Sequence, residues 1–391
     1  MDISEFLLSV PQVGPEFLSS YCFVNGAPMR LEDIQNMGCN EFAYRSKLNM
    51  PMKLYKYFPN VSKTVNRKRV NFSIQALKNN TVFMQTPSEF DDVYDSDIHI
   101  EREDYVRLRL KEYCNRCLIE TGPDSSVQEM FEALLHRAFD LYQRDGSLDG
   151  LFSKEPISEM EKLSNELFRN RLLFKAYDGP DWASALSNAL LVEYNELCKQ
   201  LKDTFRTACF TTTPYSQLMW ALYANNHRGF CIEYTVLPND PQYQQVYLNL
   251  FPVVYCKTRP DMTKRIVDYQ DKYPTEENLW DIYLHGALRK SIDWAYQNEW
   301  RLILPMGKAE GTDYNMQFFP ITKVFLGNRM QSRDRNRIIR ICKQKGIAYT
   351  GVTRKPDLFE MEDCKILCED CPKMDCKQYK GTQKGNGRSS R

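Results

Sequence analysis

Gln297 and Glu299 stand two residues apart at the head of an apolar run, Trp300–Leu304. In an extended strand alternate side chains share a face. Gln297, Glu299 and Arg301 then point one way, and Trp300, Leu302 and Leu304 the other. A carboxylate so placed can hold a sugar hydroxyl and stabilise the positive charge that builds as a glycosidic bond breaks. The spacing equally suits a structural part, with Glu299 and Arg301 as an ion pair on one face and the apolar residues packing a core on the other. Both readings make Glu299 the carboxylate to follow.

A second acidic group, Asp91, Asp92 and Asp95, lies in the run Ser88–Asp95. With Glu299 and a basic Lys290 or Arg301 it could bind Mg²⁺ and orient a phosphodiester, as in a metal-dependent nuclease. The spacing matches no defined nuclease pattern, and acidic runs of this kind commonly form capping turns. A third group closes the chain: Cys364, Cys368, Cys371 and Cys376. Four thiolates at such short spacings can close a tetrahedral structural Zn²⁺ site, and a tail of free thiols is the plainer alternative. Lysines and arginines around these cysteines are offset by acidic residues, so contact with nucleic acid is only one reading of the tail.

Composition narrows the classes. The chain has 391 residues and a formal net charge of +1, so global charge gives no argument for nucleic acid, although a local basic patch is compatible with it. No stretch approaches the ~18 uninterrupted apolar residues of a membrane span. The N-terminal residues lack the basic and apolar regions of a secretory signal, and the thirteen cysteines form no disulfide rhythm. These features predict reduced thiols and a cytoplasmic protein. No glycine-rich phosphate loop is present.

The elements that would position these groups alternate between sheet and helix. Residues 1–50 read as an N-terminal extension with one helix and a loop. Strands are predicted at Leu54–Phe58 and Thr81–Thr86, separated by a helix over Asn71–Asn79. Apolar spacing of three and four then predicts a helical insertion over 101–205, with helices at Val127–Gln143, Ile157–Lys175 and Asp181–Phe205. Sheet returns at Thr207–Thr213, Gly229–Tyr234, Val253–Tyr255, Glu299–Leu304, Ile321–Leu326 and Ala348–Val352. Helices fall at Tyr215–Ala224, Leu279–Asp293 and the basic Ser332–Lys345. The expected fold is α+β: a mixed-sheet core in two parts, 53–100 and 206–354, interrupted by the helical insertion and followed by a Cys-rich tail from 355 to 391, its end disordered.

Several of these pieces carry a resemblance in order. Lys56-Tyr57 lies on an aromatic first strand, followed by the Pro87–Asp92 turn and Cys209-Phe210-Thr211. Met219-Trp220-x-x-Tyr223, Gly229-x-x-x-Glu233-Tyr234 and Lys290…Trp294…Gln297-x-Glu299-x-Arg301 come next. Over roughly residues 53–350 the sequence resembles the bacterial family known as domain of unknown function 2971. That resemblance implies a soluble bacterial protein and supplies no activity. The chain departs from the family pattern at Asp91 (usually Asn), Val93 (Pro), Thr211 (Ser) and Gln297 (Glu), so only Glu299 can serve as the carboxylate of that segment.

The Gln297-x-Glu299 segment also resembles the catalytic segment of mono-ADP-ribosyltransferases. That resemblance implies NAD as substrate, with Glu299 on the ribose 2′-hydroxyl and Gln297 toward the acceptor. It implies Thr211, Thr212 and Thr213 at the nicotinamide side, Tyr57 or Tyr223 stacking on it, and Lys56 on a phosphate, where that family usually has Arg or His. Arg228 could bind phosphate, or be a solvated turn residue. Trp220 could face a ligand, although Leu218, Trp220 and Leu222 repeat at helical spacing and fit a core. The expectation is an effector-type protein of a stress- or phage-defence kind, acting as an ADP-ribosyltransferase-like enzyme on a protein or nucleic-acid acceptor. The alternatives are a defence nuclease and a non-enzymatic sensor that binds nucleic acid or a partner through the tail and Arg333–Lys345.

Overall fold

A computed structural model of the chain describes residues 19–146, 195, 202–203, 205–259, 261–271, 276–305 and 314–364. The expected helix Ile157–Lys175, nearly all of Asp181–Phe205, and Cys368, Cys371 and Cys376 lie outside the described residues. The strands are β1 (Tyr21–Val24), β2 (Ala27–Arg30), β3 (Lys53–Phe58), β4 (Lys63–Val65), β5 (Lys68–Val70), β6 (Thr81–Met84), β7 (Phe205–Thr211) and β8 (Phe230–Thr235). They continue as β9 (Leu250–Pro252), β10 (Val254–Cys256), β11 (Arg289–Ser291), β12 (Glu299–Pro305), β13 (Tyr314–Gln317), β14 (Ile321–Leu326), β15 (Ala348–Arg354) and β16 (Met361–Asp363).

Eight of them form one mixed sheet in the order β16-β15-β14-β8-β3-β7-β12-β9. Its only parallel neighbours among the described residues are β14 and β15, joined by the helix Ser332–Lys345. Parallel strands need such a crossover. The α+β expectation therefore holds. One face of the sheet buries Leu54, Ala208, Phe210, Ile232, Trp300, Leu302 and Val324 against the helices Phe72–Asn79 and Ser332–Lys345. Side-chain alternation sends Tyr55, Tyr57 and Cys231 to the opposite face, where they meet Trp220 and Phe325. A separate apolar cluster joins the helices Arg102–Arg116 and Val127–Asp145 to Thr263–Asp271.

Local signals explain several boundaries. Asn71 caps the helix Phe72–Asn79 by accepting from the Ile74 amide, and Asn80 ends it in the left-handed region. Ser126 and Glu129 form a capping box at the start of Val127–Asp145. Gly146, at φ 68°, stops that helix.

Two expectations change. Among the described residues the N-terminal stretch holds, in place of a loop, the hairpin β1–β2, preceded by helical Ser19–Ser20 and followed by the helices Leu31–Asn36 and Cys39–Leu48. Asn25 and Gly26, both at positive φ, make the two-residue turn that suits a right-twisted hairpin. The hairpin joins β10 and β11 in a four-stranded sheet of order β11-β10-β1-β2. The helix expected over Leu279–Asp293 runs only from Glu276 to Ala287. Lys290 lies beyond it on β11, which pairs in parallel with β10.

Candidate active site

The pairing of β3, β7 and β12 builds the site. Glu299 lies opposite Thr211, and Thr211 opposite Tyr55, making one row across three strands. Arg301 lies opposite Cys209 on the same face. Tyr55–Thr211 is the only register pair between β3 and β7, while the far end of β7 is held by a bridge between Thr207 and Gln85. Between these two points the sheet is split. The Cys209 carbonyl, which faces that split, accepts a hydrogen bond from the Lys56 ammonium at 2.9 Å instead of from a neighbouring strand.

A cleft of about 520 Å³ opens over this region. Its floor includes Lys56, Cys209, Thr211, Gln297 and Glu299. Phe90, Tyr223 and Trp294 line its walls, with Arg301 over the Phe90 ring and Lys290 over the Trp294 ring, and the carboxylates Glu89, Asp91 and Asp92 stand at its rim. The volume falls in the range of small-molecule sites, roughly 300–1,000 Å³.

Glu299 is 5% exposed and bound by two cations. Arg301 Nε reaches its Oε1 at 2.7 Å, and Lys290 Nζ reaches its Oε2 at 3.0 Å. Both cations also hold Asp95: Arg301 at 2.7 and 2.8 Å, Lys290 at 3.0 Å. Two carboxylates and two cations thus form a charge-balanced, buried square. Further donors complete it. Ser96 Oγ accepts from Arg301 and donates to Asp95, and the Ala287 carbonyl accepts from Arg301 at 2.6 Å.

The electrostatics follow. Burial pushes the Glu299 carboxyl upward, but Arg301 and then Lys290 outweigh it and hold it well below the usual carboxylate range. Asp95 behaves alike, with burial opposed by Arg301 and then Lys290. Burial alone would lower Lys290, yet Glu299 and Asp95 hold it above its ordinary value. Lys56 goes the other way. Burial lowers it, and the nearby Cys209 and Glu299 only partly restore it. Burial also pushes the Cys209 thiol and the Tyr223 phenol each up to about 12. Glu299 is therefore fully ionised, and Lys56 is the cation in the cleft with no carboxylate bonded to it.

The backbone around Glu299 is pinned from several sides. Gln297 is not on an extended strand with Glu299, as alternation predicts: it ends the 3₁₀ helix Ile292–Gln297, and Asn298 adopts the left-handed conformation just before β12. The Glu299 amide donates to Tyr255 Oη at 2.8 Å, and its carbonyl accepts from the Val253 amide at 2.9 Å. Thr211 Oγ1 donates to the Gln297 carbonyl at 2.6 Å. Gln297 Nε2 in turn donates to Tyr223 Oη at 2.7 Å.

The residues singled out from sequence divide as follows. Lys56, Tyr57, Thr211, Tyr223, Gln297 and Glu299 line the cleft. Arg301 is completely buried beneath it, where it acts on Glu299 and Asp95. Thr212 and Thr213 lie past the end of β7 and outside the cleft lining; Thr213 Oγ1 accepts from the Tyr215 amide. Trp220 is fully buried, donating from Nε1 to the Pro214 carbonyl and packing edge-on against Tyr57. Arg228 stands exposed on the turn before β8, away from the cleft. Of the four tail cysteines, only Cys364 is described, half-buried just after β16.

Two participants had weak sequence signals. Asp95 belonged to the acidic run, but nothing local distinguishes it from Asp91 or Asp92; only Asp95 enters the buried square. Cys209 lines the cleft simply because it alternates with Thr211 on β7.

No helix among the described residues is long and apolar enough to cross a membrane. No curated protein and no solved structure matches the chain. The family model described as Protein of unknown function (DUF2971) matches residues 219–302, the stretch that runs from the helix bearing Trp220 to the strand bearing Glu299 and Arg301.

Proposed function

We propose that the cleft binds NAD and breaks its nicotinamide–ribose bond, with Glu299 as the carboxylate that stabilises the ribosyl cation. The observation that carries this reading is Glu299 itself: ionised, rigidly held, and opening on a cleft of about 520 Å³ beside Gln297. The acidic rim and aromatic walls suit a flat cation, which is what the nicotinamide ring of NAD is. Lys56 offers a positive charge for a phosphate at the split between β3 and β7.

In the proposed reaction the C1′–N bond breaks and its electron pair leaves with nicotinamide, which becomes neutral. The oxocarbenium ion left on the ribose is captured by water or an acceptor nucleophile, which then loses a proton. Glu299 Oε1 accepts from Arg301, the Cys209 thiol also bonds to the carboxylate, and the ribose 2′-hydroxyl would add to or displace that thiol contact. The hydrogen bond from the hydroxyl strengthens as charge develops. Gln297 and Tyr223, bonded to each other, border the position from which a nucleophile would approach.

The nuclease alternative has weaker support. Asp95 and Glu299 already neutralise Arg301 and Lys290, and among the described residues no group of three or more His, Cys, Asp or Glu is arranged to hold a metal ion. Zinc in the tail is proposed from the Cys364–Cys376 spacing alone; metal analysis of the purified chain against one ending at Pro356 tests it.

The central experiment measures nicotinamide release from NAD, with water and with protein and nucleic-acid acceptors. The unsubstituted chain should release nicotinamide, and Glu299→Gln should lose at least about a hundredfold in rate, the scale of removing one transition-state contact. Absence of release from the unsubstituted chain with every acceptor refutes the reading. Gln297→Ala, which leaves the buried square intact, separates loss of chemistry from loss of fold.

A further inference from the structure

We propose that one end of the large sheet, with the β4–β5 hairpin projecting from it, is a docking surface for the phosphate backbone of double-stranded DNA. The starting observation is charge segregation. The chain as a whole carries a net charge of +1, yet no acidic residue occurs between Glu41 and Glu89. The hairpin falls inside that stretch.

The topology collects further basic residues at the same end. Phe58, Phe230 and Leu326 form one cross-strand row over β3, β8 and β14. Beyond this row lie three adjacent segments: the 59–71 excursion bearing the hairpin, the 227–229 turn, and the 327–331 connection into the helix Ser332–Lys345. Lys63, Arg67, Lys68 and Arg69 sit on the first, Arg228 on the second and Arg329 on the third. All six are exposed, and none of them makes an ion pair among the described residues. Neighbouring strands are about 4.8 Å apart, so the three segments share a front about 10 Å wide.

The surface is built rather than loose. The Gly327 amide donates to the Gly229 carbonyl and the Arg329 amide to the His227 carbonyl, each at 3.0 Å. A Cβ at Gly229 would come within 2.0 Å of the Phe58 carbonyl oxygen, and one at Gly327 within 2.2 Å of that of His227. Glycine at 229 lets that turn close on the end of β3, and glycine at 327 lets the next connection close on the 227–229 turn. The hairpin base is fastened where Asn71 Nδ2 donates to Asn60 Oδ1 at 2.9 Å. Its tip is the two-residue turn Asn66-Arg67, both at positive φ. A narrow, two-stranded basic ribbon is a shape that the major groove of B-DNA admits, and Arg228 and Arg329 lie to one side of its root, over β8 and β14, to meet phosphates alongside.

This inference is independent of the chemistry proposed for the cleft. Its test is fluorescence anisotropy of the full chain with a labelled mixed-sequence DNA duplex across a salt series. Binding should weaken with salt, with a log–log slope of roughly −3 to −5 for four or five phosphates engaged. Combining Lys68→Ser with Arg69→Ser should weaken binding about tenfold or more at low salt and flatten the slope by about 1.8, two contacts at about 0.9 each. Arg67→Asn, whose side chain suits the left-handed turn, should give a smaller loss in the same direction. All three side chains are exposed, so the thermal midpoint should hold. Lack of binding at low salt, a salt-insensitive affinity, unchanged binding by the variants, or binding to phosphatidylserine vesicles but not to the duplex would each overturn the proposal.

Discussion

Arg301 grips Asp95 with both terminal nitrogens, at 2.7 and 2.8 Å, across a sequence separation of 206 residues. The same guanidinium turns its Nε to Glu299. One fully buried side chain thus ties the loop after Pro87 to the strand that carries the site's carboxylate.

Breaking this junction should be costly. Arg301→Met leaves two buried carboxylates with Lys290 alone, and Asp95→Asn leaves two cations with Glu299 alone. Removing one partner of a buried pair typically costs about 3–5 kcal/mol, because the remaining charge is left uncompensated. Arg301→Lys should not rescue it, since lysine cannot make the two-pronged bond. Urea denaturation should show a lower midpoint for all three variants with little change in slope; a loss under about 1 kcal/mol would mean the square is not a structural unit.

Stability should fall in acid in two stages. His285 Nδ1 lies 2.7 Å from an Arg289 nitrogen, which can only donate, so the imidazole is held neutral with its hydrogen on Nε2, 3.2 Å from the Met37 carbonyl. Asp281, 3.5 Å away, does not reverse this. Burial, then Arg289 and Arg265, lower the imidazole from 6.5 to about 3. Between those values the unfolded chain binds a proton that the folded chain refuses. The loss therefore begins as pH drops below 6.5, at up to about 1.4 kcal/mol per pH unit. Asp95 and Glu299 are lowered from 3.8 and 4.5, so their contribution is complete above those values and is lost only as pH falls below them. Urea titrations at a series of pH values should show both limbs. His285→Gln should flatten the first and leave the second; an unchanged first limb would assign it to another group.

How far the sequence revealed this arrangement depends on range. Alternation along β12 put Glu299 and Arg301 on one face and Trp300 and Leu302 on the other, as found, because period-two burial is a local property. Asn71 and Gly146 marked helix ends through their own backbone chemistry. Asn25-Gly26 carried a hairpin signal of equal strength, but the prolines and apolar pieces around it suggested a helix and loop. Lys290 was drawn into a helix because the apolar periodicity of Glu276–Ala287 continues past its end, and only parallel pairing with β10 decides for strand. The contact between Asp95 and Arg301 has no local signature at all. It exists because the sheet order brings distant segments together.

Lys56 separates binding from stability. Its ammonium is desolvated and bonded to a backbone carbonyl, not to a carboxylate, so the folded protein without ligand gains little from the charge. Lys56→Met should leave the thermal midpoint unchanged or raise it, while weakening NAD binding about tenfold or more through loss of the phosphate contact. Burial lowers Lys56, and a bound anion favours its charged form, so affinity should fall as pH rises toward the alkaline range, with proton uptake on binding in that range. Calorimetry in buffers of different ionisation enthalpy measures this uptake. Binding that is independent of both Lys56 and pH would place the phosphate elsewhere.

The bond from Gln297 to Tyr223 sets up the last prediction. Gln297 is 3% exposed, and its amide nitrogen is 2.7 Å from the phenol oxygen. Tyr223→Phe removes this partner while keeping the ring at the cleft wall. Tyr223 is 39% exposed, so the expected stability loss is small, about 1 kcal/mol. The released Gln297 side chain becomes free to rotate, so transfer to an acceptor should fall relative to hydrolysis by water. Gln297→Glu should act differently: a second carboxylate beside Glu299 adds repulsion but also a base for the incoming nucleophile, so hydrolysis should rise as pH passes the new group's titration. Comparing nicotinamide release with ADP-ribose transfer for both variants gives the partition directly. If neither variant changes it, Gln297 does not border the nucleophile's path, and the site would have to admit its acceptor from the Trp294 side of the cleft.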